Sequence, residues 1–122
     1  RRQRQMCIRY RADLEAPLKT KADEFLIRKH LDAAKKAWKK GHLTTPNEDN
    51  AHKYYQMVFA MEPDNAEARA GLRKIVDRYV QFIEKAKSEG KLNMVRLYLQ
   101  RAESVLPDDP KLQNIRKELA IQ

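Results

Sequence analysis

Gly90–Pro107, GKLNMVRLYLQRAESVLP, decides the fold. A glycine opens the stretch, a proline closes it, and Leu92, Val95, Leu99, Ala102 and Leu106 recur between them at steps of three and four. That period is the apolar stripe of an amphipathic helix, not the alternation of a strand. Upstream, Ala51, Tyr55, Val58 and Pro63 repeat the mutual spacings of Val95, Leu99, Ala102 and Pro107. One helical pattern is used twice, which predicts stacked helical hairpins.

Outward from that stretch the same reading extends. Gly90 caps a long helix over about 65–89, whose apolar residues are Leu72, Ile75, Val76, Tyr79, Phe82, Ile83 and Ala86. Gly71 lies inside this helix at a cost of about 1 kcal/mol against alanine, which points to a close helix crossing. Asp109-Pro110 reads as a cap followed by a first-turn proline, opening a short final helix with Leu112, Ile115 and Leu119. Thr45-Pro46-Asn47-Glu48 reads as a capping box that starts a helix at Pro46 running to about Met61. Residues 18–40 read as a strong helix with Phe25, Leu26, Ala33, Ala34, Ala37 and Trp38 inward, ended by Gly41 in the left-handed region. Residues 1–16 carry Met6, Tyr10 and Leu14 at steps of four, and Pro17 either breaks or kinks the helix there.

Composition agrees. Of 122 residues, 35% are charged, 42% are hydrophobic and only three are glycine, the mix of an all-α chain. Its apolar runs are too short to cross a bilayer. The chain starts at Arg1 with no apolar signal segment, so a soluble excerpt of a longer protein is expected, one setting being the neighbourhood of a membrane anchor outside it. The net charge of +9 is concentrated: residues 1–40 hold thirteen Lys and Arg against five Asp and Glu, a net of +8. Such a block is either a solvated face or an attractor of acidic protein, phosphate or anionic surface. The division expected is a basic segment over 1–16, a cap or linker, and a helical domain over 17–122.

The spacings resemble the tetratricopeptide repeat (TPR) family. Gly90, Val95, Leu99, Ala102 and Pro107 match that family's run of inner-turn glycine, small residue, large apolar residue, small residue and closing proline. Ala51, Tyr55, Val58 and Pro63 match it again, and Ala34 and Ala37 supply the small residues of a first helix. The departures are Val95 and Ile83, larger than usual, Gly41, five residues too far upstream, and a Pro63-to-Pro107 interval of 44 residues against the family's 34. Longer helices explain the interval: the capping box lengthens one and the 65–89 helix is about two turns over-long. The stretch Leu43-Thr44-Thr45-Pro46 is also similar to extended TPR-like segments of bacterial envelope and regulatory proteins. The resemblance implies a short right-handed solenoid of about five to six helices in antiparallel hairpins. It implies a bacterial scaffold or protein–protein interaction module binding a peptide or helix in a concave groove. Carried onto this chain, that groove is lined by Arg28, Leu31, Asp32, Lys35, Trp38 and Lys39. Asp77, Val80, Gln81, Glu84 and Lys87 follow in the second unit. Trp38 beside Arg28, Lys35 and Lys39 suits an apolar anchor flanked by acidic residues.

Nothing in the sequence carries catalysis. His30, His42 and His52 are twelve and ten apart, so no two share a helical turn as metal ligands do. Cys7 is alone, which excludes an internal disulfide and a cysteine zinc site. The glycines are isolated, so no phosphate loop forms. No enzyme activity, cofactor or metal is expected. The alternative function is nucleic-acid or anionic-surface binding through the basic first third, where Tyr10, Phe25 and Trp38 are the interleaved aromatics. Two hairpins also leave apolar end faces, so either the first segment folds back as a cap or a homodimer forms, its arginines meeting Glu62, Asp64 and Glu67 of a second copy.

Overall fold

The computed structural model describes residues 20–121; the expectations for residues 1–16, Cys7 and Pro17 lie outside the described residues. Thr20 opens the first helix, α1 (Lys21–Lys39). Its hydroxyl accepts the Asp23 N–H at 3.1 Å and the Asp23 carboxylate accepts the Thr20 N–H at 3.2 Å, so two donors without intrahelical partners are satisfied. Acidic Asp23 and Glu24 stand at its positive pole, and Lys36 and Lys39 at its negative pole. The rest of the described chain is α2 (Ala51–Met61), α3 (Ala66–Ser88), α4 (Leu92–Val105) and α5 (Pro110–Ile121), with no strand among the described residues. The protein is all-α.

The helix ends recur in pairs. Gly41 at φ +82° and Gly90 at φ +73° adopt the left-handed conformation that an L side chain would strain. Around them His42 donates to the Ala37 carbonyl and Lys91 to the Ala86 carbonyl, each at 2.9 Å, the six-to-one bond of a Schellman end. The ends of α2 and α4 match as well. Glu62 and Leu106 bond back to Val58 and Ala102, and the next caps, Asn65 and Asp109, bond back to Glu62 and Leu106.

α1 packs on α2, α2 on α3, and α3 most extensively on α4, with α5 closing against α4. Arg28 pairs with Glu67 and Arg78 lies 5.5 Å from the Trp38 ring, so α1 and α3 run side by side in the same direction. Arg73 with Asp109 and Lys87 with Glu118 do the same for α3 and α5. One apolar cluster joins all five helices, from Ile27 on α1 to Leu112 on α5. The crossing that Gly71 predicts is present: a Cβ there would overlap the Tyr55 ring, so the α2 ring sits directly on the α3 backbone.

Three expectations are corrected. Thr45-Pro46-Asn47-Glu48 starts no helix; it belongs to a loop over 42–50, and α2 begins at Ala51 behind the cap Asn50. Asn50 accepts the Lys53 N–H at 2.7 Å and donates its amide to the Pro46 carbonyl at 2.7 Å. The His42 and Leu43 carbonyls take the Ala51 and His52 N–H groups, at 2.8 and 3.0 Å. With Leu43 in the core and the Thr44 hydroxyl 2.5 Å from that of Tyr79, the backbone is pinned off any helical path until Asn50. Loop, not helix, therefore separates Gly41 from α2, and the over-long helix is α3, with 23 residues. Second, the core stripe of α1 is Ile27, Leu31, Ala34 and Ala37, while Phe25 and Leu26 are exposed, about 160° and 100° around the helix from Ile27. Third, α4 buries Val105, and Leu92 at its first position is exposed.

A candidate binding groove between the first and third helices

The paired helix ends set a register between the two inter-helix steps. Gly41 and Gly90 align α1 with α3 at an offset of 49, and Pro63 and Pro107 align α3 with α5 at an offset of 44. Equivalent places in the two steps can then be compared within one molecule. Between α3 and α5 the place is closed: Ile115 and Leu119 of α5 lie against Ile83 and Val95, leaving about 20 Å³. Between α1 and α3 it is open, a groove of about 280 Å³. Gly71 stands where α5 has Ile115, so one of the two side chains that fill the one step is missing from the other, while Ile75 is the counterpart of Leu119.

The groove has an apolar floor and a cationic rim. Tyr55, Ala70 and Gly71 form the floor, Trp38 the wall on α1, and Lys35, Lys39 and Lys74 the rim. Glu67 is the carboxylate at its edge and is already engaged, by Arg28 and by Lys35 at 3.5 Å. The Arg28 hydrogen bond, ahead of the neighbouring positive charge, holds the Glu67 carboxyl below the usual carboxylate range. Burial raises the Tyr55 phenol, which stays neutral. Lys39 and Lys74 have no carboxylate partner among the described residues. Arg78 closes one end, its guanidinium 5.5 Å from the Trp38 ring and 5.6 Å from that of Phe82.

The residues expected from the sequence divide accordingly. Lys35, Trp38 and Lys39 line the groove. Arg28 and Asp32 flank it, 3.5 Å apart and exposed. Leu31 does not reach it: at 3% exposure it is core, because it continues the buried stripe from Ile27. Asp77 faces the other way, bound by Arg73 at 3.3 Å and within 3.9 Å of Lys111. Lys87 binds Glu118 at 3.0 Å and, with Glu84, borders the closed step; Gln81 is exposed and Val80 half-buried. Tyr55, Glu67, Ala70, Gly71 and Lys74 also line the groove and are not among the lining residues that the resemblance implies. The signal was Gly71, since a close crossing in one step implies a missing side chain there.

Asp64 and Glu67, offered above as contacts for a second copy, are bonded within the chain to Arg69 and to Arg28 and Lys35. No group of three or more metal-ligating side chains occurs among the described residues, and no described helix is long and apolar enough to cross a membrane. Comparisons with protein-family models, curated proteins and solved structures return no match for the chain.

Proposed function

We propose that the five helices form a short TPR-like right-handed array that acts as a non-catalytic protein-interaction module, holding a peptide or helix of a partner protein in the groove between α1 and α3. The observation that carries this reading is the contrast between the two steps. A fold that closes the α3/α5 step to about 20 Å³ leaves about 280 Å³ open at the equivalent place, beside an aromatic wall and two lysines with no carboxylate partner among the described residues. A half-buried aromatic in a concave apolar site, ringed by charge, is the anatomy of an interaction hot spot. The parallel course of α1, α3 and α5 and the recurrent helix ends support the array.

Ala70 offers a direct test, because it is exposed, helical and on the groove floor. Peptides selected from a random displayed library against the intact chain should lose binding to Ala70→Phe, which plugs the groove. They should keep it with Ala60→Phe, at an exposed site on α2. A set of binders indifferent to Ala70→Phe contradicts the reading.

A further inference from the structure

α3 outlasts α1. With Trp38 level with Arg78, α1 ends near Tyr79 while α3 continues to Ser88, an overhang of nine residues or about 13 Å. On that overhang lies a second depression of about 360 Å³, floored by Phe82, Ala86, Met94 and Tyr98 and edged by Lys85 and Lys91. The Phe82 and Tyr98 rings pack at 5.4 Å. The two depressions lie along one stripe of α3, since Lys74, Arg78, Phe82 and Lys85 follow at steps of four, four and three. The Arg78 guanidinium, between the Trp38 and Phe82 rings, joins them. The α3 residues lining the groove (67–74) and the second depression (82–89) are fifteen apart, about 22 Å along the helix.

The charge along this path is one-sided. Its carboxylates, Glu67 and Glu89, are held by Arg28 with Lys35 and by Lys91. Lys39, Lys74, Arg78 and Lys85 have no salt-bridge partner among the described residues. Resting on the groove reading above, we infer that the partner is an extended acidic segment with two large apolar side chains six residues apart. One is seated in the groove over Ala70 and Gly71 and the other in the second depression over Ala86 and Met94, with carboxylates between them over the cations that have no salt-bridge partner among the described residues. In an extended strand, side chains at i and i+6 point the same way and lie about 20 Å apart, which matches the separation of the depressions. A helix would need about fifteen residues for the same span.

The experiment titrates the full chain with fluorescein-labelled Leu-Glu-Asp-Glu-Asp-Glu-Leu and its two single Leu→Ala forms, at fixed salt. Binding should weaken at least tenfold when either leucine is lost, and as much in Lys39→Glu/Lys74→Glu or in Lys85→Glu/Lys91→Glu, with helicity unchanged by circular dichroism. If only the Lys39/Lys74 variant and one leucine matter, the groove stands and the two-depression partner is overturned. If neither leucine matters, binding is charge alone and the inference falls. If library peptides sensitive to Ala70→Phe exist but this peptide does not bind, the acidic class is wrong while the groove reading survives. Tighter binding of an oligothymidylate, lost in both lysine variants, overturns the peptide in favour of a phosphate backbone.

Discussion

Gly71 and Tyr55 show how much one side chain decides. The missing Cβ lets the Tyr55 ring rest on α3, and the same absence opens the groove beside it. Gly71→Ala gains about 1 kcal/mol of helix propensity but drives a methyl into the ring, so we expect a net loss of about 1–3 kcal/mol in urea denaturation. In a Tyr55→Leu background the clash is relieved and the same substitution should be neutral or stabilising. A wild-type background stabilised by Gly71→Ala would show that the contact is not tight. At the entry to α2, Asn50 is the cap and Thr45 is exposed in the loop. Asn50→Ala should therefore cost about 1–2 kcal/mol, while Thr45→Ala stays within about 0.5 kcal/mol. Equal effects at the two positions would restore the helix start at Pro46. The glycine was legible in the sequence because a helix-interior glycine needs a reason. The cap was not, because Thr-Pro-Asn-Glu satisfies every local rule for a helix start and only the tertiary anchors, Leu43 in the core and Thr44 on Tyr79, pull the loop off that course.

At the scale of elements, both ends of α3 and α4 and the start of α5 were legible in the sequence within a residue or two, because Pro63, Gly90, Pro107 and Asp109-Pro110 mark them. It misplaced the inner face of α1, where Phe25 and Leu26 are exposed and the buried stripe is Ile27, Leu31, Ala34 and Ala37. Within α4, Leu99 is 3% exposed, and Leu99→Ala should cost about 2–5 kcal/mol; a melting temperature that barely moves would contradict the packing of the α3/α4 hairpin. The α3–α5 junction gives a pH prediction. The hydrogen bond from Arg73, which outweighs burial, holds the Asp109 carboxyl below its ordinary value. A depressed carboxyl adds stability that is complete above the unfolded-state value, near pH 4, and is lost as the pH falls through the lower native value. The stability difference between wild type and Asp109→Asn should therefore be constant at neutral pH and shrink below about pH 4. A difference that is flat to pH 2 would remove the ion pair from the stability of the junction.

At the scale of the molecule, the repeat predicts the succession of helices, and the departures from repetition locate the groove. Opposite charges occupy equivalent positions in the two steps, Arg28 with Glu67 in one and Asp77 near Lys111 in the other. Such a swap keeps each step bonded while leaving their exposed surfaces different. The register of α1 against α3 could not be read from spacing, since it depends on which side of α3 the loop over 42–50 delivers α2. Hence the cationic rim on α1 was legible, and its counterpart on α3, Lys74, was not. Trp38 is the one tryptophan in the chain and forms the groove wall, so its emission reports on that surface alone. The decisive measurement is a titration of the intact chain with the acidic two-leucine peptide, following Trp38 emission and peptide anisotropy together. For an acidic peptide that binds in the groove, both signals saturate at the same peptide concentration and both vanish in Ala70→Phe. Saturable anisotropy with unchanged Trp38 emission, persisting in Ala70→Phe, would place the binding surface elsewhere and contradict binding in the groove.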